Sequence, residues 1–141
     1  MTKRRIRENL YVMLFQTAFY QEEERSLQAD LFLEDLEGKD ATKQAKGILK
    51  ERFTEVCDHL SEIDALIAEK AKGWKLERLA KADLAVLRVA VFEMLYDEEI
   101  PNAVAINEAV ELAKKYGEEK SGGFVNGILA SVEKGIQGAD A

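Results

Sequence analysis

Apolar positions recur at three- and four-residue intervals along almost the whole chain, and no stretch alternates cleanly enough for a half-buried strand. In the opening stretch TKRRIRENLYVMLF, Ile6, Leu10, Met13 and Leu14, continued by Thr17, form one stripe. Thr2 is placed to cap this helix, which runs to about residue 20. A second helix, roughly residues 23–37, sets Leu27, Leu31 and Leu36 toward the core and stops at Gly38. Asp40 or Thr42 starts a longer helix with Ile48, Leu49, Phe53, Val56 and Leu60 on its apolar face. Ser61, with Asp64 three residues on, has the form of a capping box and opens a short helix that ends near Gly73.

Beyond a connector holding Trp74 and Leu79, DLAVLRVAVFEMLY (83–96) is apolar nearly all round, as a helix packed on several sides must be. It ends before Pro101. AVAINEAVELAKKYG (103–117) is the next helix, with Lys114 and Lys115 at its negative end and Gly117 as its stop. Ser121 caps the last, GGFVNGILASVEKG. The pattern therefore predicts an all-α protein of about seven helices, one domain over residues 1–141, in two halves meeting near Gly73.

Composition fits that reading: 141 residues, 47% hydrophobic and 33% charged, with a single proline, describe a soluble globular chain able to bury a core. The lone Cys57 leaves no internal disulfide and fits a reducing compartment. No apolar run approaches the roughly 20 residues of a membrane span, and the cationic start leads into no signal-peptide core. The expected location is the cytoplasm, with no membrane partner.

Charge changes the picture more. The chain carries a formal net charge of -7, yet residues 1–7 hold Lys3, Arg4, Arg5 and Arg7 and no acid. Screening acts over about 8 Å at physiological salt, so a local basic patch can engage a polyanion on an acidic protein. The alternative is a solvated terminus. On a helix, Arg4, Tyr11 and Phe15 share a stripe, with Arg7 at its edge, beside the apolar face. Arginines followed by exposed rings suit single-stranded RNA, where cations neutralise phosphate and aromatics stack on unpaired bases. Packing of Tyr11 and Phe15 against another helix is the competing explanation.

KSGGFVNG offers a second such place. Lys120, the Ser121 cap and the unpaired N–H groups of a helix start suit an anion, and Gly122 and Gly123 let a backbone approach. Phe124 then stands one turn inside, able to stack on a base or to fill the core. Catalytic chemistry finds little support. One histidine, His59, and one cysteine, Cys57, make no His/Cys zinc site, and two residues apart on a helix they point away from each other. The glycines of SGGFVNG lack the lysine spacing and the preceding strand of a phosphate-binding loop.

LAKADLAVLRVAVFEML, IPNAVAINEAVELAKKYG and SGGFVNGIL, in that order and spacing, closely resemble the NusB transcription antitermination family, and the arginine-rich first helix extends the resemblance to nearly the whole chain. The resemblance implies two packed helical subdomains and an activity of binding without catalysis, cofactor or metal. The implied partners are NusE, a small-subunit ribosomal protein, boxA-type single-stranded RNA, and the RNA polymerase antitermination complex that reads through terminators, notably in ribosomal RNA operons.

Carried over by position, the family's basic N-terminus matches Arg4, Arg5 and Arg7, its first-helix aromatic matches Phe15, and its FVNG matches Phe124 to Gly127. Lys3, Tyr11, Lys120 and Ser121 join them from the patterns above. The resemblance moves Phe15 and Phe124 from core to RNA contact. Asn107 and Glu108 belong to the family signature and read as a buried amide and carboxylate fixing helix contacts. Arg88 and Asp83 form a structural pair or face the protein partner. The short basic start implies modest RNA affinity without a partner. A NusB-like front also occurs on some RNA methyltransferases, which need a cofactor-binding domain that this sequence has no room for. A helical protein-interaction adaptor or homodimer without an RNA role is the remaining alternative.

Overall fold

The computed structural model describes the backbone of residues 1–140 and the side chains of residues 1–136. Seven α-helices and three short 3-10 turns make up its regular structure, with no strand among the described residues. Helices α1 (Lys3–Gln16), α2 (Arg25–Asp35) and α3 (Lys43–Asp58) form one compact unit, Met1–Asp58. Helices α4 (Leu60–Lys70), α5 (Lys81–Tyr96), α6 (Asn102–Tyr116) and α7 (Ser121–Asp140) form a second, which begins at His59. The division falls at residues 58 and 59, not near Gly73. Gly73, at φ +81°, instead turns the chain after α4.

In the first unit, α1 and α2 both pack on α3, whose Ala45, Leu49, Phe53 and Val56 are buried. Ile48, expected on that face, is 43% exposed. The threonine caps form as the sequence dictates: Thr2 Oγ1 accepts from Arg5 N at 3.1 Å, and Thr42 Oγ1 accepts from Ala45 N at 3.1 Å. Helix α1 closes at Gln16, earlier than its pattern suggests. Thr17 caps it by donating its hydroxyl to Leu14 O at 2.6 Å, and the next residues tighten into a 3-10 turn.

The register of α2 differs from expectation. Its buried positions are Ala29 and Leu33, whereas Leu27 and Leu31 are 60% and 44% exposed. Positions 27 and 31 lie two residues from 29 and 33, which on a helix is nearly the opposite face. Leucine outweighs alanine in hydropathy, so the pattern favours the stripe of Leu27 and Leu31, and their expected core role is corrected by the burial of Ala29 and Leu33.

The second unit is arranged around α5, which packs against α4, α6 and α7. Ten of its 16 residues are buried, including Val86, Leu87, Val89, Ala90, Val91 and Phe92, so the helix that reads as apolar all round is the core helix. Ser61 does not cap α4, which starts one residue earlier behind His59 without a side-chain cap. Asp64 instead receives both Arg88 Nε and Arg88 Nη2 at 2.8 Å, a bidentate pair that ties α4 to α5. Arg88 therefore pairs with Asp64 and not with Asp83. The Tyr96 hydroxyl donates to the Glu62 carboxylate, and that bond, helped by burial and the carboxylate charge, pushes the phenol up to about 12.

Candidate nucleic-acid interface

The first unit carries the basic residues. Lys3 and Arg4 stand exposed on the first turn of α1, where backbone N–H groups also point outward. Arg5 is already engaged: its Nε lies 2.7 Å from Asp40 Oδ2 and its Nη2 donates to Glu37 O at 3.1 Å, which pins α1 to the turn at Gly38, whose φ of +123° only glycine adopts freely. Arg7 is 6% exposed and Tyr11 3%. The expectation that Tyr11 stands as an exposed ring beside the apolar stripe is corrected: the buried arc of α1 runs over Arg7, Leu10, Tyr11, Met13 and Leu14, wider than the stripe drawn from its aliphatic residues. Burial also removes Arg7 from the freely accessible cations.

Phe15 is half-buried. Its ring meets Phe19 edge-on at 5.3 Å and lies 6.3 Å from the ring of Tyr11. Phe19, 65% exposed, continues this aromatic line into solvent, and no motif marked it beforehand.

The second unit carries the other candidates, gathered where α6 gives way to α7. Gly117 caps α6, and only a glycine fits there: a Cβ would lie 2.5 Å from Ser121 Oγ and 2.7 Å from Ala113 O. That close approach buries Ser121. Its hydroxyl accepts from Glu118 N at 2.9 Å, so it secures the turn behind it and does not cap α7, which it begins. Ser121 N is bonded to Glu118 O, so the helix start expected to present free donors has spent one of them, while Phe124 N makes the first bond of the helix, to Lys120 O. Gly122 packs against Lys114, while Gly123 faces open space.

Around this corner the structure brings together Lys120 and Ser121 with the half-buried Phe124, on the wall of a pocket of about 320 Å³. Trp74, Arg78, Leu79, Ala80, Asp83 and Glu118 complete that wall, and motif reading placed none of the six with the site. Asn107, expected as a buried amide, is exposed on α6, and Glu108 is half-buried with a partner. His59 lies outside these clusters and stacks on Tyr96 at 4.1 Å. Among the described residues no three His, Cys, Asp or Glu side chains gather as metal ligands, and no helix is long and apolar enough to cross a membrane.

Helices alone among the described residues, in two units, with two clusters that each combine cations and aromatic rings, define an all-α protein with two candidate sites on its surface. Comparison with known proteins makes the assignment specific. The chain belongs to the NusB family, whose model matches residues 4–134. The transcription antitermination protein NusB of Agathobacter rectalis is 46% identical over 130 residues, covering 92% of this chain and 98% of that protein. A solved structure of T. maritima NusB superposes with a TM-score of 0.83 at 38% identity, over 95% of this chain and 92% of that one. The crystal structure of the antitermination factors NusB and NusE in complex with dsRNA shares the fold, with a TM-score of 0.74 at 24% identity over 96% and 99% of the two chains.

Proposed function

We propose that this chain is a transcription antitermination factor that binds boxA-type single-stranded RNA together with the ribosomal protein NusE. In this role it joins the RNA polymerase antitermination complex and supports ribosomal RNA transcription. Residues 1–141 work as one RNA-binding module in the cytoplasm, by binding and without catalysis. The observation that carries this reading is the α6–α7 corner, where Phe124 stands on a pocket wall beside Lys120 in a chain of NusB family membership. A phenylalanine needed only for the core has no reason to share an open pocket with cations, whereas a base-stacking platform does. Lys3, Arg4 and Phe15 supply the second part, as phosphate and base contacts. Arg5, Arg7, Tyr11 and Ser121 support it, by fixing the elements that present the contacting side chains.

The two clusters hold few cations to neutralise phosphate, so affinity from this chain alone is modest and a partner protein must add to it. Titration of boxA-like RNA at fixed salt, with and without purified NusE, tests this. The expected result is weak binding alone and tighter binding with NusE; equal affinity in both arms contradicts it. The adaptor reading draws support from Phe19, Leu27 and Leu31, large apolar side chains left exposed in the first unit. It predicts NusE binding with no RNA affinity in either arm.

A further inference from the structure

We propose that a groove beside α2, in the first unit, is a docking site for a cationic amphipathic helix of a partner protein other than NusE. The proposal stands apart from the RNA-binding reading and concerns a surface which that reading does not use.

Two open hollows, of about 580 and 350 Å³, lie along α2 and share Gln16 and Gln28 as walls, so they form one continuous groove. Leu31, Phe32 and Leu36 line one end, and Phe19 and Tyr20 line the other. Phe19 and Leu31 are exposed there, and Leu27, one turn before Leu31, extends the apolar strip at 60% exposure. Neighbouring apolar side chains left open in a groove mark an interaction surface. Helix α2 has 11 residues and is about 16 Å long, which matches about three turns of a partner helix laid along it.

Charge selects the occupant. Glu24, Asp35 and Glu37 line the groove and are exposed, and none of its lining residues is basic. Residues 22–37 hold seven acids and one base, Arg25, a net charge of -6. The two helices that border the groove also end at it. Helix α1 closes at Gln16 and α2 at Asp35, and neither has a basic residue in its last turn to offset its negative pole. Such a surface attracts cations and repels RNA phosphate. It also disfavours a second copy of this chain, which in a two-fold contact would set the acidic strip against itself. A helix with leucines at three- and four-residue intervals between lysines or arginines seats its apolar face on Phe19 and Leu31 and carries its cations over the acids. The three blocks that mark the family, residues 79–95, 100–117 and 121–129, lie outside α2, which leaves the groove to a partner other than those the family holds in common.

The full chain is titrated with a fluorescein-labelled leucine–lysine peptide of amphipathic helical pattern, followed by anisotropy, beside a peptide of the same composition in scrambled order. Expected are saturable binding of the patterned peptide, about tenfold tighter than the scrambled one, and weakening as salt rises. Leu31→Gln should lower the affinity about tenfold with unchanged helicity. Asp35→Asn should lower it at low salt and hardly at high salt. Ile48→Gln, at an exposed position of α3 outside the groove, should leave it unchanged. Absence of saturable binding, equal affinity for the two peptides, or wild-type affinity in Leu31→Gln overturns the proposal. Displacement of the bound peptide by NusE overturns it by giving the groove to NusE, and self-association of the chain that Leu31→Gln abolishes overturns it by giving the groove to a second copy. Absence of RNA binding, with or without NusE, counts against the earlier reading alone.

Discussion

The two clusters differ in how far their residues are already committed. On α1 four cations are evident in the sequence, yet Arg5 is ion-paired, Arg7 is buried and the ring of Tyr11 belongs to the core. At the α6–α7 corner the charge is mixed, Arg78 and Lys120 beside Asp83 and Glu118, and Phe124 and Trp74 share the same open pocket. A count of cations thus overstates what the first cluster has available, and the absence of a charge run understates the second. Availability depends on what the fold has already paired.

The largest expected effect comes from Tyr11. Because it is 3% exposed, Tyr11→Ala should cost about 3–5 kcal/mol of stability, as large-to-small core substitutions of aromatic residues do. Urea unfolding measures it, and a loss below about 1 kcal/mol would return the ring to the surface and to RNA. At the other cluster, Gly117→Ala places a Cβ 2.5 Å from Ser121 Oγ and should cost about 1–3 kcal/mol, because the start of α7 must shift. Weakened RNA binding should accompany that shift, since Lys120 and Phe124 move with Ser121.

The arginines sharpen the contrast within α1. Arg4→Ala should lower the salt slope of RNA binding by about 1 and leave helicity nearly unchanged. Arg5→Ala should do the reverse, losing an exposed ion pair worth about 0.2–1 kcal/mol with a smaller change in slope. Equal slopes for the two variants would show that the Arg5 to Asp40 pair opens readily for RNA.

Much of this was legible in the sequence, for reasons that are local. The threonine caps, the apolar girth of α5, the lysines and glycine closing α6 and the three family blocks all depend on residues a few positions apart. What escaped depends on which face of a helix finds a neighbour. Leu27 and Leu31 carried the strongest apolar signal in α2, but Ala29 and Leu33 face the core. Tyr11 sits one step from the aliphatic stripe of α1 and is buried with it. Asp64 reads as the capping-box partner of Ser61 because its acceptor role is visible in the sequence and its distant donor, Arg88, is not. The pocket escaped for the same reason, since Trp74, Asp83 and Phe124 lie on three separate segments and no spacing rule joins them.

The central claim, that the α6–α7 corner takes an RNA base, is tested most directly by one variant measured in two ways. Phe124→Ala should unfold in urea close to the wild type while losing about 1–3 kcal/mol of RNA binding, as a ring that stacks on a base requires. A variant that loses about 3–5 kcal/mol of stability, with RNA binding reduced only in step with its unfolding, would place the ring in the core and contradict the claim.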